Sequence, residues 1–417
     1  MRSRALLLIL LTSVLAVSFP QVTAAQGQNT CLPIVVQSLS QFGTNCADAE
    51  SNSVCAGSES VTFILDDEQM SELLAEPGDS AVLTTVQTVQ TSALDRTDRT
   101  WGLSLLNVQA NLPQFLDDPY VKYIMLGGIE VENAVEPEDA VTLLEEGVSV
   151  LTTAETEFRS PAVLSTPEVV LGAGVTLLAD AISPDGEWVR AVYASAPGWV
   201  MAEALQSDVN LTTLPVIGPE DFTPMQSFYF RTGLPGDACA DAQSLLIIQG
   251  PTNVPVDIRV NEIDIRLEST MVMRTMPPGP QVGNRIEIFT LFGLVTINPD
   301  TPDAIYVPAG YTTNIGLCEP LSSLGIEGDV DEKPFCGSWA TPRVVNQGEL
   351  DLFGVLNRLP RNVLHYIIDI PRIIRASGIG GVIPRLLFAN PAALNAVRRN
   401  CEAGRIPEAV CEFLIGS

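Results

Sequence analysis

The chain has 417 residues, 46% of them hydrophobic, and sets 50 Asp and Glu against 22 Lys and Arg, a net charge of −28 with its single histidine neutral. That length accommodates two to four domains at about 100–200 residues each, the apolar content excludes a disordered chain, and the acidity excludes a phosphate backbone as partner, so no nucleic-acid role is expected. One histidine, His365, and two lysines, Lys122 and Lys333, exclude a multi-histidine zinc site and leave one imidazole for any Ser-His or Cys-His nucleophile pair.

Residues 1–24 read as a signal peptide. Arg2 and Arg4 precede an apolar run from Ala5 to Val17, and Val22-Thr23-Ala24 supplies small residues for cleavage. Cys31 follows Gln28-Asn29-Thr30, which is not a lipid-attachment context. The expectation is an extracellular or extracytoplasmic protein with a cleaved signal. All eight cysteines lie beyond that segment, and in an oxidising space they read as disulfides. Residues 25–60 form a cysteine-rich head, in which Ile34, Val35, Leu39 and Phe42 have the spacing of one helical face.

Residues 61–147 predict a small antiparallel β region. Val61–Leu65, Ala81–Gln90, Trp101–Ala110 and Val121–Glu132 are rich in β-formers or alternate apolar with polar residues, the last across a Gly127-Gly128 break. No site chemistry is evident there beyond the acid pairs Asp66-Asp67 and Asp117-Asp118, which serve as loop acids or, on a rival reading, as the carboxylates of a glycan-acting enzyme.

Residues 148–206 carry Phe158-Arg159-Ser160-Pro161, a small-residue turn at Gly172-Ala173-Gly174, the strand Asp185-Gly186-Glu187-Trp188-Val189-Arg190-Ala191-Val192-Tyr193 and a closing Gly198-Trp199-Val200. This order resembles the bacterial SH3-like domain family, with Ala162-Val163-Leu164 where the family pattern has a glycine. The resemblance implies a small barrel and, from relatives that bind cell-wall glycopeptide, a ligand surface with Arg159, Tyr193 and Trp199 as candidate contacts. Trp188 is expected in the barrel core. For Trp199, packing and a role as a sugar or peptide platform both stand.

Residues 207–238 read as a linker that contains the sequon Asn210-Leu211-Thr212. In 239–318, period-2 alternation through Val256–Val260 and Ile263–Leu267 predicts half-buried strands. The succession Asn261-Glu262-Ile263-Asp264-Ile265-Arg266-Leu267, Gly293-Leu294-Val295-Thr296-Ile297 and Val307-Pro308-Ala309-Gly310-Tyr311-Thr312-Thr313 resembles the FecR-type extracytoplasmic β domain family. Residues 319–417 predict a helical C-terminal region of short pieces stopped by Pro or Gly, a cap on the β body or, alternatively, a membrane-surface element. Its most apolar stretch, Val363–Phe388, is broken by Asp369, Pro371, Arg372, Arg375, Pro384 and Arg385, so no transmembrane span is expected. His365 sits in the apolar context Val363–Ile368, which suits a packed or capping histidine.

The expected fold class is therefore a mainly β multidomain chain: a small antiparallel β domain, an SH3-like barrel and a FecR-like β domain, with a helical C-terminal region and disulfides. Spacing suggests pairing Cys401 with Cys411, Cys239 with Cys318, two of Cys31, Cys46 and Cys55 with each other, and the third with Cys336. The functional expectation is a secreted, non-enzymatic binding or scaffold protein of the bacterial cell envelope. Its partner is a cell-wall polymer or another envelope protein, and no cofactor, metal or catalytic residue is assigned. The alternatives are the carboxylate enzyme and a calcium-stabilised adhesion protein using Gly328-Asp329-Val330-Asp331-Glu332, a segment that lacks the spacing of a dedicated calcium loop.

Overall fold

A computed structural model describes residues 31–66, 72–160, 167–233, 239, 241–251, 254–276, 285–317, 335–336 and 338–368. The fold is mainly β, in three sheets. A ten-stranded sheet runs in the order Phe335–Cys336, Tyr311–Leu317, Arg285–Phe292, Thr270–Met276, Leu245–Gln249, Val121–Leu126, Leu103–Val108, Ser53–Ala56, Ser80–Val82, with Arg343–Val344 also beside Tyr311–Leu317. A nine-stranded sheet runs Ile305–Pro308, Leu294–Ile297, Ile263–Leu267, Val256–Val260, Ser227–Thr232, Ile129–Asn133, Val86–Thr91, Val61–Leu65, Glu72–Ala75.

The burial of individual strands shows how these sheets stack. Leu103–Val108, Val121–Leu126 and Leu245–Gln249 are buried at every position. Leu106, Val108, Tyr123, Met125, Leu246 and Ile248 face one core, shared with Val256, Ile258 and Val260 of the nine-stranded sheet. Their neighbours Leu103, Leu105, Ile124, Leu126, Leu245 and Ile247 face a second core on the opposite side. The ten-stranded sheet is thus a middle layer, which is why its strands read as continuous apolar runs. The nine-stranded sheet has one wet face, and its strand Val256–Val260 alternates buried with half-buried residues.

The second core is closed by helix α1 (Leu32–Asn45) and by the segment 345–368, which contains helix α2 (Gln347–Leu352) and 3-10 turns at Gly354–Arg358 and Arg361–Val363. α1 starts on a proline and buries Ile34, Val35, Leu39 and Phe42. Its close approach requires Gly57, where a Cβ would lie 2.1 Å from Cδ2 of Phe42. α2 begins with a capping box in which the Asn346 side chain accepts from the Glu349 N–H and Glu349 accepts from the Asn346 N–H. Phe353 then meets Phe289 of the middle sheet edge-on at 4.7 Å. The helical pieces expected beyond residue 368 lie outside the described residues. No helix among the described residues is long and apolar enough to cross a membrane.

Two disulfides hold α1 at both ends, Cys31–Cys239 and Cys46–Cys55. The local pair among the first three cysteines is present. The expected links Cys239–Cys318 and third cysteine to Cys336 are replaced by Cys31–Cys239. The reason is topological. Leu245–Gln249 pairs with Val121–Leu126, so the chain entering it passes the start of α1, with Cα atoms of Cys31 and Cys239 6.4 Å apart. Cys318, Cys401 and Cys411 lie outside the described residues, and for Cys336 only the backbone is described.

No sheet breaks between the regions 61–147 and 239–318. They meet edge to edge through Val121–Leu126 with Leu245–Gln249, and the other sheet runs from Ile129–Asn133 to Val256–Val260 through Ser227–Thr232, a strand inside the stretch 207–238 expected as a linker. Past that seam, hairpins alternate between the two sheets: Val256–Val260 with Ile263–Leu267, Thr270–Met276 with Arg285–Phe292, Leu294–Ile297 with Ile305–Pro308. At the seam a lone strand, Leu245–Gln249, crosses the middle sheet where a hairpin would keep the order antiparallel. Its flanking strands Ser227–Thr232 and Val256–Val260 are consequently parallel.

The third sheet is inserted at this seam. It has seven strands from Val148–Thr152 to Leu205–Gln206 and curls as a half-barrel around Val150, Phe158, Leu171, Leu177, Val189, Ala191 and Val200. The insertion leaves and returns at one residue. Asn133 Oδ1 accepts from the N–H of Val135, on the outgoing chain, and of Met225, on the returning one.

Candidate functional site

The half-barrel presents two unlike faces, and strand register decides which side chain goes to which. Arg159 pairs with Trp199, and Trp199 pairs with Arg190. Alternation puts these three, with Glu157 and Trp188, opposite the core residues Phe158, Val189, Ala191 and Val200. Arg159 Nη2 lies 2.6 Å from Glu157 Oε2, and its guanidinium lies over the Trp188 ring at 4.9 Å.

Trp199 does not form an open platform. It is only 6% exposed and packs with Leu143, Ala181 and Ile217. Leu143 and Ile217 belong to the outgoing and returning chains of the insertion, which wrap over this face. Trp188, expected in the barrel core, lies half-buried against the same cluster rather than in the core itself.

Beside Trp199 is a buried ion pair. Arg190 donates from Nε to Asp180 Oδ1 at 2.9 Å and from Nη2 to Asp180 Oδ2 at 2.5 Å, with side chains 7% and 0% exposed. Asp180 is aimed by a register shift between Ala179 and Ala181, which makes it the extra residue of a bulge. The alternation of the surrounding residues carries no sign of that bulge, so the pair is invisible in the sequence.

Tyr193 lies on the other side. It is 37% exposed, and its ring sits 5.7 Å from that of Phe158. Phe158 reaches it by lying across Gly198, where a Cβ would be 2.4 Å from Cζ of the ring. Val169 pairs with Phe158 on the adjoining strand Pro167–Leu171, which is outermost in its sheet among the described residues. Val169 and Val170 are both exposed, Val170 at 55%. The three expected contacts therefore separate: Arg159 and Trp199 share the face turned to the sandwich, and Tyr193 stands on an apolar lip with Val169.

Elsewhere, Asp117 and Asp118 are exposed on the loop before Val121–Leu126, and Asp66 borders a cavity of about 20 Å³, room for one water. Asp67 and the 328–332 segment lie outside the described residues. His365 has a packing and capping position, with Nε2 2.9 Å from the carbonyl of Tyr120. Burial first, and the charge of Lys122 second, lower its pKa to about 4. Comparison of the chain with protein-family models, curated proteins and solved structures found no match.

Proposed function

We propose that this protein is an exported, non-enzymatic binding or scaffold protein of a bacterial cell envelope, and that its half-barrel engages cell-wall glycopeptide. The observation that carries this reading is the lip of Tyr193 and Val169 over Phe158, next to the outermost strand Pro167–Leu171. An exposed tyrosine backed by a buried ring suits the apolar face of a sugar. An outer strand offers an extended peptide the backbone groups that no described strand pairs. A glycopeptide presents both chemistries together. Among the described residues, six of the fifteen exposed large apolar side chains fall within 148–206, Tyr193 and Val169 of the lip among them.

The resemblance of 148–206 to the bacterial SH3-like family supports the same ligand class, and that of 239–318 to FecR-type domains supports an extracytoplasmic setting. The two disulfides and the signal-like residues 1–24 favour export. The test is retention of the full-length protein on purified peptidoglycan. Wild-type protein is expected to sediment with the polymer, and Tyr193→Ala and Val169→Asp to do so several-fold less, with unchanged melting. Wild-type protein that stays in the supernatant refutes the reading.

A further inference from the structure

The last described residues form a strap across one end of the middle sheet, fastened by a polar knot. The His365 N–H donates to Gln249 Oε1 at 2.7 Å, and Gln249 Nε2 donates to the Tyr366 carbonyl at 3.0 Å. The Tyr366 hydroxyl lies 2.7 Å from both Ser269 Oγ and Thr270 Oγ1. Ile368 closes the strap in the second core, 2% exposed. The His365 ring is the one member of the knot that takes up a proton in mild acid, and it is the only histidine of the chain.

Its surroundings suit a neutral ring. Tyr120 carries His365 at 5.2 Å between ring centroids and Lys122 Nζ at 5.6 Å from its centroid, so a protonated His365 puts a second cation against the same tyrosine. Lys122 is only 6% exposed, so water screens it weakly. Among the described residues, the charged and titratable groups facing the ring are Lys122 from the strand Val121–Leu126, Asp118 and Tyr120 from the loop before it, and Tyr366 from the strap; Gln249, Ser269 and Thr270 are neutral. Among the described residues Asp118 alone favours the proton by its charge, and it is exposed. The Tyr120 carbonyl also favours it, while burial and Lys122 oppose it.

We propose that His365 is an acid-sensitive catch, whose protonation releases residues 364–368 from the middle sheet while the sandwich stays folded. This conformational step does not depend on the ligand of the half-barrel. A released ring takes a proton below its ordinary pKa of 6.5, whereas the docked ring holds off until about 4. Docking therefore weakens as pH falls through that window and levels off beneath it. Linkage gives a loss on the order of 20-fold in the docking equilibrium between pH 7 and pH 5.

Hydrogen exchange of the full-length protein at pH 7 and pH 5, corrected for intrinsic rates, reads this directly. Wild type is expected to lose about 20-fold in protection over 364–368, with Leu245–Gln249 unchanged. His365→Gln keeps a donor for the Tyr120 carbonyl without titrating and is expected to be equally protected at both pH values. The ring resonance of the single histidine, followed by NMR in wild type, is expected to titrate well below its ordinary 6.5. A midpoint near 6.5, or the same acid loss in His365→Gln, overturns the proposal. If that variant does not fold, the wild-type titration decides.

Discussion

Arg190 in the half-barrel donates from Nη1 to the main-chain carbonyl of Asn111 in the sandwich at 2.7 Å. Asn111 in turn donates from Nδ2 to the carbonyl of Asp221, on the returning chain of the insertion, at 2.5 Å. One guanidinium therefore joins three parts of the protein, and its charge is balanced inside by Asp180. A pair this buried adds little over an apolar substitute, but removing one partner strands a charge. Asp180→Ala is expected to destabilise by about 3–5 kcal/mol. The double variant Asp180→Leu with Arg190→Met is expected to recover most of that. Denaturant unfolding of the three proteins checks it; a double variant as unstable as Asp180→Ala assigns the loss to packing instead.

The two disulfides stabilise α1 unequally. Cys31–Cys239 spans 208 residues and Cys46–Cys55 spans 9. In the chain-entropy account the longer loop is worth about 5 kcal/mol and the shorter about 2–3 kcal/mol. Replacing Cys31 and Cys239 by Ala should lower the unfolding midpoint about twice as far as replacing Cys46 and Cys55. Equal shifts from the two double variants contradict this.

The strands of this fold are legible in its residues, and their partners are not. Val256–Val260 alternates in sequence as it alternates in burial, because one face of the nine-stranded sheet is wet, whereas Ile263–Leu267 alternates in sequence but buries Arg266 with its neighbours in ion pairs to Asp257 and Asp300. Val121–Leu126 is legible as a strand, but its burial on both faces, like that of Leu245–Gln249, comes from the layers packed against it. Nothing local says that these two pair with each other across more than 110 residues, since an apolar strand fits beside any other. Two modules read as separate thus share both sheets. The same limit governs the site. Tyr193 and Arg159 are visible as candidates within the 148–206 pattern, but what covers Trp199 is Leu143 and Ile217, which come from segments with no period of their own.

Gly198 is tied to the lip by close packing. A Cβ there meets Cζ of Phe158 at 2.4 Å and the Arg159 carbonyl oxygen at 2.8 Å, one a ring and the other backbone. Gly198→Ala is expected to cost about 1–3 kcal/mol, as overpacking does, and to lower retention on peptidoglycan by displacing Phe158 from beneath Tyr193. Adding Phe158→Leu should relieve part of the stability loss without restoring retention. If Gly198→Ala melts like wild type, the close approach is not present in solution.

Tyr123 and Tyr366 should respond in opposite directions to the same substitution. Tyr123 is fully buried between the two large sheets, with its ring 5.1 Å from Phe228 and no hydrogen-bond partner for its hydroxyl among the described residues. Burial alone pushes its phenol pKa up. An unpaired buried hydroxyl costs about 1–3 kcal/mol of desolvation, so Tyr123→Phe is expected to stabilise by about 1 kcal/mol once the small void left by the oxygen is counted. The Tyr366 hydroxyl has partners in both Ser269 and Thr270. Tyr366→Phe breaks those bonds, leaves both hydroxyls short of a partner, and is expected to destabilise by about 1–2 kcal/mol. Urea unfolding of the two variants beside wild type separates the cases, and destabilisation by Tyr123→Phe shows that its hydroxyl is bonded.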